Sequence, residues 1–313
     1  MSAIFIDCND AAMAALDGEL RAIAPDLAIN RGRPTAAELP ALLAGHRAAL
    51  VFNTPLPDAV LAAAPALEAV VYLSTGPASY IDIDAAARRG IRVRGVRGYG
   101  DRAVAEHALA LALAGVRGVA RMDRDIRNGR WRAWTGFELA GRTLGIVGLG
   151  GTGRALAAIG AALGMTVIGW NRSAFAPGLA CRRRPLDAVF AEADVVSLHL
   201  ALTPDTRAIV DRRRLALMRP HAVLVNTARG GLIDEAALVA SLRAGRPGHA
   251  ALDVVESEPL SPRHPLRLLE NVTLTAHAAY DTGEAMARLL RRGLETLRDE
   301  CAAGRAPRGV YRP

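Results

Sequence analysis

Short apolar runs alternate with alanine-rich helical stretches along almost the whole chain, and this pattern constrains the fold more than any other feature. Such alternation is typical of α/β proteins with parallel sheets. The length of 313 residues suggests two domains. With 51% hydrophobic and 22% charged residues, the chain can bury a large core.

The first hundred residues are expected to form the sheet of one domain. Its predicted strands are residues 4–7, 48–53, 69–73 and 91–93, with helices that include 10–23 and 82–89. The amphipathic helix 283–302 comes last, and no further sheet follows it. We therefore expect this helix to return to the first domain, which would combine residues 1–98 with 282–313.

A second series of elements follows a long helix at about 102–117 and a polar stretch, 121–141, that contains Trp131 and Trp134. Its predicted strands are residues 143–147, 166–170, 195–199, 222–226, 250–254 and 272–276. Six strands from one continuous segment suit a complete dinucleotide-binding sheet. Residues 99–281 would then be a doubly wound domain inserted into the first.

The first strand of this series runs into G-x-G-x-x-G and then a predicted helix, 154–163. In that context the first glycine permits a tight turn, the second lets the backbone approach a pyrophosphate, and the third allows close packing of helix and strand. The helix N-terminus offers N–H groups to the phosphates. The expected contacts are Gly148, Gly150, Gly151, Thr152 and Gly153.

The next strand ends in Asn171, Arg172 and Ser173, where an NAD-binding domain usually carries an acidic residue for the ribose. Asparagine does not repel a 2′-phosphate, and arginine can pair with one. We therefore expect NADP in preference to NAD. In the alternative, Arg172 is one more surface arginine and Asn171 holds NAD.

All 39 basic residues are arginines, since the chain contains no lysine. Enzymes with an internal Schiff base, Walker A proteins and protein kinases are excluded because they need a lysine. Short-chain, β-hydroxyacid and amino-acid dehydrogenases, which share this kind of nucleotide fold, also rely on a catalytic lysine. The arginines are scattered, so the net charge of +8 does not predict nucleic-acid binding.

The chain has three cysteines, which lie far apart, so no disulfide framework is predicted. It also lacks the metal-binding patterns H-E-x-x-H and C-x-x-C, so no metal site is predicted. The N-terminus shows no signal-peptide pattern, and the longest apolar run, 108–116, is too short to span a bilayer. We therefore expect a cytoplasmic protein that does not bind a membrane.

Three further segments follow predicted strands, and ligands in open α/β sheets bind at such ends. They are residues 225–234, 252–260 and 273–279. Together with Gly98–Tyr99, Val104–His107, the glycine loop and residues 199–206, they make the chain resemble the D-isomer-specific 2-hydroxyacid dehydrogenase family over nearly its whole length. The resemblance implies two Rossmann-like domains, the first flavodoxin-like and substrate-binding, with the active site between them and hinges near residues 98 and 282.

The resemblance also implies a catalytic set of Arg229, Glu258 and His277. Arg229 would pair with the substrate carboxylate and polarise its 2-oxo group. His277 would exchange a proton with the carbonyl oxygen as hydride moves, and Glu258 would orient the imidazole. Further implied cofactor contacts are His199, Thr206, Thr227, Ala228 and Asp253, the last of these to the nicotinamide carboxamide.

The substrate loop departs from the family pattern. It follows strand 69–73, and the family has Gly-x-Gly there, with two backbone N–H groups for the carboxylate. Here Pro77, which has no N–H, replaces the second glycine. Either Thr75 and Gly76 bind the carboxylate or the substrate head group differs. Ala276 and Ala201 replace two other prolines without removing a chemical group.

The implied reaction is NAD(P)-dependent reduction of a small 2-oxo acid, such as glyoxylate or hydroxypyruvate, to the D-2-hydroxy acid. A homodimer is expected through the nucleotide domains, with the long helix and the stretch around Trp131 and Trp134 contributing. The alternatives are a phosphite or formate dehydrogenase on the same fold and a nucleotide-sensing, corepressor-like binding protein. A further alternative, a protein that binds nucleic acid through its arginines, is supported only by the net charge.

Overall fold

The computed structural model describes residues 2–303 of the chain. It divides into two compact units, the first made of Met1–Gly100 with Asp281–Pro313 and the second of Asp101–Tyr280. Each unit has its own parallel sheet, and the predicted α/β fold class is confirmed. The expected assignment of residues 304–313 to the first domain concerns a segment outside the described residues.

Unit 1 is built on a five-stranded sheet. The strands are β1 (Ala3–Cys8), β2 (Ala28–Arg31), β3 (Ala48–Val51), β4 (Ala69–Tyr72) and β5 (Arg92–Gly95). The helices between them are α1 (Asp10–Ala15), α2 (Gly18–Ile23), α3 (Leu39–Leu43), α4 (Asp58–Ala62) and α5 (Ile83–Arg88). The strand order β2-β1-β3-β4-β5, with every pair parallel, is the flavodoxin-like order.

Three expectations for this sheet were wrong. The single helix 10–23 is two helices, because the Asp17 side chain accepts the N–H of Leu20 at 2.9 Å and starts a new helix there. Strand β2 was not predicted, because it is only partly buried at the sheet edge and so lacks an apolar run. Strand β5 lies at Arg92–Gly95 rather than 91–93, since its pairing with β4 continues to Gly95.

Unit 2 begins with α6 (Asp101–Arg117) and α7 (Val119–Arg127) and continues with a seven-stranded sheet. The strands are β6 (Thr143–Val147), β7 (Thr166–Trp170), β8 (Arg182–Arg183), β9 (Val195–Leu198), β10 (Val223–Asn226), β11 (His249–Leu252) and β12 (Val272–Leu274). The helices among them are α8 (Gly151–Ala162), α9 (Leu186–Glu192), α10 (Arg212–Leu217) and α11 (Glu235–Arg243).

The strand order in unit 2 is β12-β11-β10-β9-β6-β7-β8, the doubly wound arrangement of a dinucleotide-binding sheet. The chain leaves β6 toward β7 and later crosses to β9 on its other side. This crossover creates a topological switch point between β6 and β9. Ligands bind such sheets at the carboxyl ends of the strands next to the switch point.

Three expectations for unit 2 were wrong. The sheet has a seventh strand, β8, which two exposed arginines form and which no apolar run marks. The helix after the glycine loop begins at Gly151 rather than at residue 154. The last two strands end at Leu252 and Leu274, two residues earlier than expected. In addition, part of the polar stretch 121–141, for which no structure was predicted, is helical as α7, and Gly118 separates it from α6 in a left-handed conformation.

The final helix, α12 (Gly283–Ala302), packs on the sheet of unit 1 and buries one face. Its buried leucines are Leu289, Leu290, Leu294 and Leu297, each of which contributes about 2 kcal/mol of hydrophobic stabilisation. Gly293 brings the helix close to the sheet, since a Cβ there would lie 2.3 Å from Leu73.

No single helix of the described chain is long and apolar enough to cross a membrane. Only α6 and α7 taken together meet that criterion of length and composition, and they are bent by 62° at the break between them.

Candidate active site

The glycine loop joins β6 to α8 at the switch point. Gly148 has φ +101°, and a Cβ there would lie 2.5 Å from the carbonyl oxygen of His199. A Cβ on Gly153 would lie 2.0 Å from the Gly148 carbonyl oxygen. A Cβ on Gly150, by contrast, would have no other atom within 4 Å. Two glycines are therefore needed for close packing, and the third leaves open space beside the helix N-terminus.

These features fit a bound dinucleotide. Gly150 is the N-cap of α8 and supplies no side-chain acceptor, so the N–H groups of the first turn are available to phosphate. The Thr227 hydroxyl, after β10, is buried without a hydrogen-bond partner. An unsatisfied hydroxyl in this position is available to a ligand.

Asp101, the first residue of α6, also contacts this loop, which the sequence did not predict. The Thr152 hydroxyl donates to its Oδ1 at 3.0 Å. A Cβ on Gly151 would lie 1.8 Å from its Oδ2, so a side chain there would displace the Asp101 carboxylate. This contact ties the start of α6 to the start of α8.

The end of β7 presents the residues expected at the ribose. The Asn171 side chain accepts the N–H of Leu149 at 3.3 Å and donates to Ser173 Oγ at 2.8 Å. Arg172 and Ser173 are exposed. Arg183, on the unpredicted strand β8, reaches the Asn171 carbonyl oxygen at 3.5 Å. Two guanidinium groups thus accompany Asn171 at this end of the sheet.

His199 and Thr206 have local roles of their own. The His199 ring lies 2.9 Å from Ser197 Oγ, and burial lowers the pKa of the imidazole to about 4, so it is neutral at pH 7. The Thr206 hydroxyl donates to the Ala201 carbonyl oxygen at 2.7 Å and accepts the N–H of Thr203 at 2.8 Å, which closes a turn. Their cofactor contacts stay predictions.

The predicted catalytic residues follow three neighbouring strands. Arg229 follows β10, Glu258 follows β11 and His277 follows β12, and the order β12-β11-β10 places these loops along one edge of the sheet. Gly230 permits close contact between the first two loops, since a Cβ there would lie 2.0 Å from the Val255 carbonyl oxygen.

His277 and Glu258 form a hydrogen-bonded pair. His277 Nδ1 lies 2.6 Å from Glu258 Oε2, and the other carboxylate oxygen accepts the N–H of Val255 at 3.2 Å. The His277 side chain is 43% exposed, and no hydrogen bond joins its Nε2 to another described residue. The carboxylate therefore orients the ring, and Nε2 is free to face a substrate.

The Arg229 guanidinium has no acidic partner among residues 2–303, although Nη1 donates to the Ala228 carbonyl oxygen at 2.6 Å. The fully buried Asn226 holds this loop, since its amide donates to the Arg229 carbonyl oxygen at 2.9 Å and accepts the N–H of Ala228 at 3.0 Å. A held but unpaired guanidinium is suited to a carboxylate ligand.

Asp253, the first residue after β11, is 2% exposed, and its carboxylate accepts hydrogen bonds from within the protein. The donors are the Thr275 hydroxyl at 2.6 Å, the Ala278 N–H at 2.9 Å and the Ala279 N–H at 3.0 Å. His107 Nε2, on α6, lies 3.1 Å from the Thr275 hydroxyl. Oδ2 accepts only the N–H of Ala279, so the carboxylate can accept a further donor, and the expected contact of Asp253 with a carboxamide stays a prediction.

The expected substrate loop lies in unit 1, after β4. Pro77 is buried and begins a short 3₁₀ turn, Pro77–Ser79, and its carbonyl oxygen accepts the N–H groups of Tyr80 and Ile81. The backbone N–H groups of Thr75 and Gly76 make no hydrogen bond with another described residue. Thr75 is exposed, so the loop presents two adjacent free donors just before the proline.

Comparisons with known proteins identify the family of the chain. Residues 109–279 match the family model described as "D-isomer specific 2-hydroxyacid dehydrogenase, NAD binding domain". The chain belongs to the D-isomer-specific 2-hydroxyacid dehydrogenase family. It is an NAD(P)-dependent enzyme of the 2-hydroxyacid dehydrogenase class, as predicted.

Among the similar members, a glyoxylate reductase of Aeropyrum pernix is 40% identical over 272 residues, which are 82% of this chain and 81% of the relative. The crystal structure of the TT0316 protein from Thermus thermophilus is 34% identical, has a TM-score of 0.85 and covers 99% of both chains. An acyclic imino acid reductase in complex with NADPH and D-Arg is 27% identical, has a TM-score of 0.85 and covers 98% of this chain and 99% of its own.

Within this dehydrogenase, sequence reasoning missed Asp101 and the contact between His107 and Thr275. Both involve the first half of α6, and the only available signal was the motif Val104–His107, which carries no indication of its partner. Among the described residues, no group of three His, Cys, Asp or Glu side chains is arranged to hold a metal ion.

Proposed function

We propose that this dehydrogenase reduces a small 2-oxo acid of the glyoxylate or hydroxypyruvate type to the D-2-hydroxy acid, with His277 as the general acid. The observation that carries the proposal is the His277–Glu258 hydrogen bond of 2.6 Å beside the loop of an unpaired arginine, Arg229. The glyoxylate reductase of Aeropyrum pernix, at 40% identity, supports the substrate class.

The proposed roles follow from the contacts. Arg229 holds the substrate carboxylate through its free donors and polarises the adjacent carbonyl group. His277 gives the proton on Nε2 to the carbonyl oxygen, and Glu258 stabilises the ring at Nδ1. When bound, the nicotinamide cofactor supplies the hydride. In the reverse direction His277 takes the proton from the hydroxyl group.

We also propose that the backbone N–H groups of Thr75 and Gly76 bind a carboxylate. Both donors are free of other hydrogen bonds within the described chain. The turn that starts at Pro77 is held by N–H groups of later residues, which donate to the carbonyl oxygens of Gly76 and Pro77. The turn therefore does not use the N–H groups of Thr75 and Gly76, and the missing N–H of the proline does not remove them. The loop thus offers a carboxylate site without the second glycine.

The test is turnover of purified protein with NADPH or NADH and a panel of 2-oxo acids, followed by the loss of absorbance of the reduced cofactor. We expect turnover with glyoxylate or hydroxypyruvate. Formate and phosphite, tested with the oxidised cofactor, separate the related dehydrogenases on this fold. Absence of turnover with every 2-oxo acid would exclude the proposed reaction, and cofactor binding without turnover would favour a sensing role.

NADP is the proposed cofactor. Its support is the absence of a carboxylate at Asn171 and the presence of Arg172 and Arg183 at this end of the sheet. The acyclic imino acid reductase of similar fold binds NADPH. In Arg172→Ser we expect the KM for NADPH to rise by about tenfold with little change for NADH, as for loss of one charge-assisted phosphate contact. Faster turnover of the unmodified enzyme with NADH would contradict the cofactor choice.

We also propose a homodimer through unit 2. Exposed apolar side chains cluster in α6, α7 and the segment after them, namely Leu113, Val119, Ile126, Trp131 and Trp134. Trp131 is 91% exposed, which is unusual for so large an apolar side chain. Sedimentation should show a dimer, and Trp131→Glu should shift it toward monomer. A monomeric unmodified protein would exclude this assembly.

A further inference from the structure

The loop that carries Glu258 makes few backbone hydrogen bonds. It runs from β11 to a short 3₁₀ turn, Pro265–Leu268. Among residues 254–263, three backbone N–H groups donate hydrogen bonds, and two of these bonds stay within the loop. Within the described chain, only the N–H of Glu256 donates to a residue outside the loop, namely to Glu235 Oε2 at 3.1 Å. The backbone of this loop is therefore attached to its surroundings chiefly at Glu256.

The peptide group that joins Val255 and Glu256 is held on both sides by the segment after β10. Its N–H donates to Glu235, and a Cβ on Gly230 would lie 2.0 Å from its carbonyl oxygen. The preceding N–H, that of Val255, donates to Glu258 Oε1 at 3.2 Å. The position of this peptide group therefore determines where the Glu258 carboxylate lies.

Glu235, the first residue of α11, uses its other oxygen at the far end of the same loop. His264 Nε2 lies 2.9 Å from Glu235 Oε1, and both side chains are 22% exposed. His264 Nδ1 accepts the N–H of Leu266 at 3.3 Å, so Nε2 carries the hydrogen and donates it to Glu235. One carboxylate thus bonds to the loop near both of its ends.

We propose that Glu235 is a positioning residue for Glu258, and that His264 keeps the Glu235 carboxylate in place. The contacts run from Glu235 through the peptide group before Glu258 to the carboxylate that lies 2.6 Å from His277 Nδ1. The inference rests on the proposed proton transfer by His277 and adds residues outside the segments 225–234 and 252–260. The competing view is that Glu235 only stabilises the fold of unit 2.

The first test is Glu235→Gln, which keeps the shape of the side chain but leaves one oxygen to accept from two donors. The hydrogen on His264 cannot move to Nδ1 without opposing the N–H of Leu266, so one of the two bonds is lost. We expect kcat to fall by about tenfold, as for the loss of one hydrogen bond. KM for the 2-oxo acid and the dissociation constant of NADPH, measured by its fluorescence, should stay within about twofold. An unchanged kcat would overturn the proposal.

A double variant separates positioning from a general loss of stability. If Glu235 acts through Glu258, Glu235→Gln has no further effect once Glu258→Gln has removed the carboxylate. We therefore expect kcat of the double variant to lie within about twofold of that of Glu258→Gln. A further loss of about tenfold in the double variant would show that Glu235 acts independently of Glu258 and would contradict the proposed role.

His264 tests the same carboxylate from its other side. His264→Leu removes the donor to Glu235 Oε1, and we expect kcat to fall by about fivefold at unchanged NADPH affinity. His264→Gln is the matched variant, because its amide can place an N–H near the position of Nε2 and should return most of the rate. Equal rates in the leucine and glutamine variants would refute the proposal, even where Glu235→Gln fails to fold.

Asp187 provides a control for the loss of an acidic group at the start of a helix in unit 2. It lies in the first turn of α9 and pairs with Arg213 at 2.7 Å and with Arg214 at 2.9 Å. Asp187→Asn weakens these ion pairs far from any catalytic motif and should leave kcat unchanged. A loss of kcat as large as that in Glu235→Gln would favour the competing view.

His277→Ala shows separately whether the proposed function holds. If that variant keeps full activity, His277 is not the acid and the proposed mechanism fails. If it is inactive while Glu235→Gln and His264→Leu keep full kcat, the mechanism stands and the positioning role fails.

Discussion

The carboxyl edges of the two sheets are organised in opposite ways. In unit 2 the edge carries side chains that are already held, such as His277 by Glu258 and Arg229 by a loop fixed on Asn226. In unit 1 the loop after β4 presents bare backbone donors at Thr75 and Gly76. Proton transfer needs defined side chains in fixed positions, whereas a carboxylate can be bound by N–H groups of almost any residue.

This difference explains what could be predicted from the sequence. Arg229, Glu258 and His277 stand in motifs because their chemistry depends on residue type. The free donors of the loop in unit 1 depend on backbone geometry, which the sequence does not show. Because Pro77 has no N–H, the sequence left open whether this loop can bind a carboxylate, and the turn at Pro77–Ser79 shows that two donors remain before the proline. The roles of the two edges can be tested separately by substitution.

The largest effect is expected at Arg229. Arg229→Gln removes the charge proposed to pair with the substrate carboxylate, and we expect kcat/KM to fall by about 10³-fold, or about 4 kcal/mol. Steady-state kinetics at saturating cofactor measure it. Arg207→Gln is the matched control, since Arg207 is exposed and pairs with Glu256 at 2.8 Å. A similar fall of kcat/KM in both variants would show that Arg229 has no specific role in binding the substrate.

The second prediction concerns the orientation of the imidazole. Glu258→Gln replaces the acceptor 2.6 Å from His277 Nδ1 with an amide, and we expect kcat to fall by about 10²-fold with a small change in KM. Glu256→Gln, two residues earlier, provides the control and should keep nearly full activity. If Glu258→Gln raised KM and left kcat unchanged, Glu258 would act in binding instead.

The third prediction concerns the stability of unit 2 in acid. Burial, with smaller effects from the positive charges of Arg124 and Arg121, lowers the pKa of His249 to about 4 in unit 2. The unfolded chain takes up a proton on this histidine near pH 6.5, whereas the folded chain does so only near pH 4. The contribution of His249 to the free energy of unfolding is therefore fully present above pH 6.5 and is lost as the pH falls toward 4.

The expected loss from His249 is about 3 kcal/mol in the free energy of unfolding between pH 8 and pH 4. Urea unfolding across this range measures it. His249→Gln can keep a hydrogen bond to Thr273, now 2.9 Å from the ring, but does not titrate. The variant should therefore show a weaker pH dependence. An unchanged pH dependence would show that this histidine does not contribute to acid sensitivity.

The smallest effect is expected in the loop of unit 1. Because its donors belong to the backbone, Thr75→Ala should change kcat/KM by less than about twofold, as for an exposed side chain without specific contacts. The same kinetic assay measures it. A loss of more than tenfold would show that the threonine hydroxyl binds the substrate and that the two edges are less different than proposed.

Most of the fold could be predicted because buried strands carry apolar runs. The two missed strands lack this signal, since β2 is only partly buried and β8 consists of Arg182–Arg183. The break between α1 and α2 depends on Asp17 as a cap rather than on hydrophobic spacing. Each missed feature has a local polar cause that the apolar pattern does not record.

The candidate site shows a similar limit. Motifs indicate which residues are present at the edge of the sheet, but not which of them bond to each other. Asp253 was expected at the cofactor, and the structure adds hydrogen bonds from Thr275, Ala278 and Ala279 that no motif indicates. These partners lie more than twenty residues away along the chain, and the left-handed conformation of His277 becomes visible only in the folded chain.

In the proposed reaction, His277 transfers the proton to the carbonyl oxygen of a 2-oxo acid. The most direct test of this role is kcat of His277→Ala at saturating NADPH and glyoxylate or hydroxypyruvate, with the dissociation constant of NADPH measured on the same sample. We expect kcat to fall by about 10³-fold or more, the contribution of a general acid, while NADPH binding stays nearly unchanged. Turnover equal to that of the unmodified enzyme would contradict this role.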